Sequence, residues 1–165
     1  MTKRLGVKDF HCYGFDSFQG LPAPQGVGDE GSPWQPGDFA VSKAQVESYL
    51  RSFNADFSRF SLHEGFFSNE LFASLARTVS FRPAGLVLID CDLYSSTVPV
   101  LRFLYEHLVD GTIVLFDDYN CFHRADDRGQ RRALAEFLRE HPDVRAVPLR
   151  AFGWHGQGFH FRITA

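Results

Sequence analysis

Two apolar runs that both stop on aspartates constrain this chain more than any other feature. Gly85 to Asp92 reads Gly-Leu-Val-Leu-Ile-Asp-Cys-Asp, and Thr112 to Tyr119 reads Thr-Ile-Val-Leu-Phe-Asp-Asp-Tyr. Leu93 to Asp110 lies between them and is long enough for one crossover helix, so the two runs are expected as parallel neighbours. Right-handed crossovers bring the strand ends to one edge, and open α/β sheets bind ligands outside that edge. Asp90, Asp92, Asp117 and Asp118 should therefore meet there. Four acids in one place repel one another unless a positive charge sits among them, and a hard divalent cation with oxygen ligands is the simplest candidate.

The rest of the chain fits the same plan. His11 to Phe15 is a short strand ending at Asp16. Ser17 to Ala40 is rich in Gly and Pro and has no helical or alternating period. A loop of that length inside a compact domain is usually functional or disordered, and Trp34 and Phe39 favour a lid that can cover a pocket. Ser42 to Phe53 carries Val46, Tyr49, Leu50 and Phe53 at helical spacing, with Ser42 as N-cap and Gln45 as its box partner. Phe60 to Glu64 is a second short strand. Asn69 to Thr78 is helical, and Pro83 and Gly85 punctuate the entry to the first acidic strand. The crossover helix is expected over Thr97 to Leu108, with Pro99 in its first turn and Asp110-Gly111 at its end. Asp126 to His141 is a helix with Leu134, Phe137 and Leu138 inward. Val144 to Leu149 and Phe159 to Ile163 close the chain as an antiparallel pair. The order gives one domain over 1–165, an α/β doubly wound, mostly parallel sheet.

Bulk properties narrow the function. A net charge of −3 argues against a nucleic-acid or anionic-membrane surface. The Arg128, Arg131, Arg132 cluster reads as a solvated helix face. Cys12, Cys91 and Cys121 lack paired zinc spacing and sit in or beside apolar runs, so small buried thiols are expected. Met1 to Phe10 holds no apolar leader, and no run approaches the ~18 residues of a membrane span. These features suggest a reducing, cytoplasmic setting.

The acids can be read one by one. In extended backbone Asp90 and Asp92 project to the same side, and a turn lets Asp117 and Asp118 converge on one ion. Magnesium needs few carboxylates and retains waters, so three acids suffice and the fourth is free for proton transfer. The competing reading is that strand-end aspartates cap the following helices. Asp16 stands where nucleotide-binding sheets grip ribose hydroxyls, although Asp-Ser is also common turn chemistry. Gly65 would let backbone approach a flat ligand that Phe66 or Phe67 could pack on, and the alternative is a tight turn before core aromatics. His63, His123, His155 and His160 lack zinc-helix spacing. His123 follows the acidic loop closely enough for a base role, against the plainer reading of an exposed loop histidine.

Tyr13-Gly-Phe-Asp-Ser-Phe-Gln-Gly-Leu-Pro22, Ile89-Asp-Cys-Asp-Leu-Tyr-Ser-Ser-Thr97 and Phe116-Asp-Asp-Tyr119 together resemble the macrocin O-methyltransferase family from Tyr13 to the C-terminus. That resemblance implies a Rossmann-like class I methyltransferase fold, dependent on S-adenosylmethionine and magnesium, acting on a hydroxyl of a sugar or natural product. It implies Asp90, Asp117 and Asp118 as magnesium ligands and Asp92 as the acid that takes the acceptor's proton. It implies Asp16 and Ser17 at the cofactor ribose and Glu64, Gly65 and Phe66 near the adenine. The stretch around Trp34 then matches a lid over the acceptor.

The sequence departs from that family at its front. The family places a strand and a Gly-rich turn, where the methionine part of the cofactor docks, before the Tyr13 segment. Here Met1 to Phe10, with Gly6 as its one glycine, precedes it, so an N-terminally truncated fold is expected. The strand in question lies between the His11–Phe15 and Gly85–Ile89 strands. Three arrangements follow: the two edges pair directly, a second copy or another chain fills the gap in a homo-oligomer or complex, or the native protein is longer. Two functions stand beside each other, the methyltransferase and a non-catalytic remnant that keeps its acidic edge as a metal- or ligand-binding module.

Overall fold

The computed structural model describes residues 9–164, so the expectations placed on residues 1–8, concerning a leader and Gly6, lie outside the described residues. The elements run β1 (Cys12–Asp16), α1 (Lys43–Ser52), β2 (Phe60–Glu64), α2 (Asn69–Thr78), β3 (Ala84–Ile89), α3 (Tyr94–Tyr105), β4 (Leu108–Phe116), α4 (Gly129–Glu140), β5 (Val144–Pro148) and β6 (Gln157–Ile163). β1 pairs with β2 in parallel, Asp16 opposite Glu64. β3 pairs with β4 in parallel, Ile89 opposite Phe116. β6 runs antiparallel to both β4 and β5. The architecture is the expected α/β fold with a C-terminal antiparallel hairpin, but its sheet is in two pieces, β1-β2 and β3-β4-β6-β5. β1 and β3 do not pair, so the first of the three arrangements is not the one observed.

Local chemistry sets most boundaries. Ser42 and Gln45 form a reciprocal capping box at the start of α1, and the Ser68 hydroxyl accepts from the Leu71 N–H to start α2. The crossover differs from expectation. α3 spans Tyr94–Tyr105, so Pro99 is its sixth residue rather than part of its first turn, and the bond its missing N–H would have made to the Ser95 carbonyl is lost. Asp110 and Gly111 lie inside β4 instead of ending the helix. The reason is a bulge: five residues of β4 span the step that two residues of β3 make between Ala84 and Leu86. Gly111 supplies the positive φ of 99°, and the buried Thr112 hydroxyl seals the bulge by donating to the Ala84 carbonyl at 2.6 Å.

The core lies between the β3-β4-β6-β5 sheet and helices α3 and α4, where Ile89, Leu101, Phe116, Leu134, Phe137 and Phe161 are buried. The opposite face of β3 is open. Leu86 and Leu88 are 66% and 59% exposed, in register with Ile113 and Leu115 on β4. Of the cysteines, Cys91 is buried and Cys121 half-buried, but Cys12 is exposed. It starts β1, and its strand neighbour Tyr13 turns the other way, onto the ring of Phe81. No helix among the described residues is long and apolar enough to cross a membrane.

These two faces predict opposite responses to truncation. Leu101→Ala removes a side chain 1% exposed and should cost about 3 kcal/mol in urea unfolding. Leu88→Ala should stay within about 0.5 kcal/mol. Equal losses in the two variants would mean that the β3 outer face is covered in solution.

Candidate functional site

Asp90 leaves the end of β3, and Asp117 and Asp118 leave the end of β4. Their positions are held by bonds from neighbouring backbone and one buried amide. The Asp117 N–H donates to the Ile89 carbonyl at 3.0 Å, extending the strand ladder by one step. The Asp118 N–H donates to Gln130 Oε1 at 3.0 Å, and Gln130 Nε2 donates to that same Ile89 carbonyl at 3.3 Å. Gln130 is fully buried at the start of α4, so both halves of its amide need these partners. The result brings one carboxylate oxygen from each of Asp90, Asp117 and Asp118 within 4.8 Å of one another.

Asp92 stands differently from expectation. It is not extended but left-handed, at φ 57°, a conformation aspartate tolerates better than most residues. Its side chain therefore does not repeat the direction of Asp90. Its own N–H donates to Asp118 Oδ2 at 3.1 Å, which ties it into the cluster through the backbone. Asp92 and Asp118 are 9% and 7% exposed.

Burial and mutual repulsion raise these acids together. Asp92 is pushed up to about 7 by burial first, then by Asp118, Asp90 and Asp117. Asp118 is pushed up to about 6 by burial and then by Asp90. Asp90, at the open rim, is also raised, by partial desolvation and then by Asp117 and Asp16. The Cys91 and Cys121 thiols are both pushed up to about 12, by burial first, so neither supplies a thiolate nucleophile. The donor set is hard oxygen in a site short of positive charge, which fits a divalent cation such as magnesium.

The acids line one wall of a cavity of about 630 Å³. Asp16, Ser17, Gly65 and Phe66 line it from the β1 and β2 tips, and Leu21, Trp34 and Phe39 line it from the long loop. The tips are joined by the Gly65 N–H, which donates to the Asp16 carbonyl at 2.9 Å. Gly65 has φ 150°, and a Cβ there would meet Leu71 Cδ1 at 3.0 Å, so a side chain is disfavoured. Other expected residues are engaged elsewhere. Ser17 Oγ donates to the Gly20 carbonyl at 2.7 Å and accepts from the Gln19 N–H at 3.0 Å, which is turn chemistry. Glu64 does not line the cavity, and its carboxylate lies 3.7 Å from Lys43 Nζ.

The histidine at the cavity is His155 rather than His123. His123 is exposed at φ 52° and does not line it. His155 does line it, and its Nδ1 lies 2.8 Å from the Asp117 carbonyl. Gln130 was also missed by sequence reasoning. It shares a helix face with Leu134 and Phe137 at i+4 and i+7, and that periodicity is the signal that could have marked it as inward.

A family model described as Macrocin-O-methyltransferase (TylF) matches residues 1–157. No curated protein matches the sequence. Among solved structures, the O-methyltransferase NovP is similar at 22% identity and TM-score 0.69, over 99% of this chain and 64% of NovP. CalS11, a calicheamicin methyltransferase, is similar at 23% identity and TM-score 0.65, over 91% of this chain and 60% of CalS11. The O-methyltransferase TomG from Streptomyces achromogenes, solved in complex with SAM, is similar at 16% identity and TM-score 0.53, over 74% and 57%. At these identities the likeness is one of fold, and the chain spans about three fifths of each relative.

The raised acids set a pH dependence. Below about pH 4 they are protonated both folded and unfolded. Between about pH 4 and about pH 7 the unfolded chain has released protons that folded Asp92 and Asp118 still hold, so stability falls as pH rises through that window. The melting temperature of the metal-free protein should therefore drop from pH 4 to 7 relative to an Asp92→Asn, Asp118→Asn variant. Saturating magnesium should abolish the drop at pH 7. A profile identical in the variant and the parent would show that the acids are not raised in solution.

Proposed function

We propose that this chain, which belongs to the macrocin O-methyltransferase family, transfers the methyl group of S-adenosylmethionine to a hydroxyl of a sugar or natural product. The observation that carries this reading is the convergence of Asp90, Asp117 and Asp118 on one point of the wall of a cavity that Asp16, Gly65 and Phe66 also line.

The residues divide the work. Asp90, Asp117 and Asp118 would hold magnesium, whose charge, when bound, favours the ionised form of a nearby hydroxyl. Asp16 would grip the cofactor ribose. Its Oδ1 accepts from the Phe18 N–H, and its second carboxylate oxygen remains for a ligand. Phe66, 43% exposed, would pack on the adenine beside Gly65. S-adenosylmethionine supplies an electrophilic methyl on a sulfonium. That methyl would pass to the acceptor oxygen, with a neutral thioether as the leaving group. The hydroxyl proton goes to the Asp92 carboxylate. A base near 7 suits that task at neutral pH. The loop bearing Trp34 and Phe39 would exclude water, and alignment of the three reacting atoms supplies much of the rate.

A second reading has its own support. The Ser17 hydroxyl is engaged in a turn, Glu64 faces Lys43, and the sheet is open between β1 and β3 beside these residues. Those features favour a module that binds a cation at its acidic edge without methyl transfer. Calorimetric titration of S-adenosylmethionine, with and without magnesium, separates the two readings. Binding strengthened by magnesium is expected of the enzyme. Magnesium binding without any cofactor binding in a folded sample would leave only the second.

Two substitutions test the roles assigned. Asp117→Asn should weaken magnesium at least about tenfold and abolish turnover, since it removes a charged ligand. Unchanged magnesium affinity would take Asp117 out of the metal site. Asp92→Asn should leave magnesium affinity within about twofold while lowering kcat by about a hundredfold or more. Full activity in that variant rules out the base role.

A further inference from the structure

The turn between β5 and β6 is locked to the acidic edge by two reciprocal hydrogen bonds. The Asn120 N–H donates to the His155 carbonyl at 2.9 Å. In return His155 Nδ1 lies 2.8 Å from the Asp117 carbonyl, and a carbonyl oxygen only accepts, so the proton is on Nδ1. The turn is itself closed by paired bonds between Phe152 and Gly156, at 3.2 and 3.1 Å. Gly153 takes φ 60° inside it, and a Cβ on Gly156 would run into the Phe152 ring. The backbone under Trp154 is therefore well defined by its own bonds and by the metal-edge loop.

Trp154 is 70% exposed on this fixed base and lines the same cavity as the acids. Leaving so large an apolar ring in water forgoes burial that the fold could otherwise gain. Phe39, 69% exposed, lines the cavity from the long loop. The cavity thus has an acidic wall and exposed aromatic rings beside it, a form that takes a ring with one apolar face and hydroxyls directed at the acids.

Resting on the acceptor reading above, we propose that Trp154 is the stacking platform that selects a pyranose-like acceptor, and that His155 is the positioning residue that sets the platform's distance from Asp117. The face of a pyranose bearing axial C–H bonds lies on the indole, and its hydroxyl edge reaches the acids.

The chain has two tryptophans, so a Trp34→Phe background leaves Trp154 as the sole indole reporter. Methyl α-L-rhamnopyranoside, titrated with saturating magnesium, should give a saturable fluorescence shift. Calorimetry should show binding about tenfold weaker in Trp154→Ala, the size of one aromatic contact. His155→Ala should lose a similar factor, whereas His155→Asn, whose amide N–H can reach the Asp117 carbonyl, should recover most of it. No saturable shift, or unchanged affinity in Trp154→Ala, overturns the platform. Unchanged affinity in His155→Ala, or equal losses in His155→Ala and His155→Asn, overturns the positioning role. Binding is read here without methyl transfer. Sugar bound on Trp154 by a chain that never methylates would sink the enzyme reading alone, and methylation with an unaltered KM in Trp154→Ala would sink this inference alone.

Discussion

Three carboxylates that repel one another are held within 4.8 Å by hydrogen bonds that do not depend on their charge. The Ile89 carbonyl accepts from both the Asp117 N–H and Gln130 Nε2, and Gln130 Oε1 accepts from the Asp118 N–H. One strand end, one loop and one helix start thus meet at a single buried amide. Losing it would leave the buried Asp118 N–H without its acceptor, while the Ile89 carbonyl would keep the Asp117 N–H, and a stranded buried donor costs more than the bond itself is worth. The stability of the β3-β4 pair and of α4 is what maintains the repulsion, and a cation would relieve it.

The acidic-edge half was the more legible half because its signals are local. An apolar run ending on acids, repeated at crossover spacing, leaves few ways to fold, and Asp90, Asp117 and Asp118 converge as that spacing implies. The capping box at Ser42 was legible for the same reason. What the sequence hid depends on contacts across the fold. The left-handed turn at Asp92 follows from its N–H reaching Asp118, and the long β4 follows from a bulge that the Thr112 hydroxyl seals against Ala84. Gln130 sat inside an arginine-rich stretch that reads as a solvated face, and His155 was one scattered histidine among several. Neither shows its partner in the sequence, because the Asp117–Asp118 pair lies 12 to 38 residues away.

The two halves of the cavity rest on unequal supports. The acid wall is built on β3, β4 and α4, tied by a ladder unbroken from Leu86 to Ile89 and by a dense core. The opposite wall is built on β1 and β2, a two-stranded unit with no ladder to β3, held instead by rings such as Phe15 and Phe81 against Phe103 of α3. Aromatic packing is strong but tolerant of small shifts, whereas a ladder fixes register. A ligand that spans both walls must therefore supply part of the alignment itself. A cation held on the acid wall alone needs nothing from β1 and β2. The acid wall and the β1-β2 wall are thus separable parts of this chain, and the gap between β1 and β3 makes any ligand that needs both the more demanding one to hold.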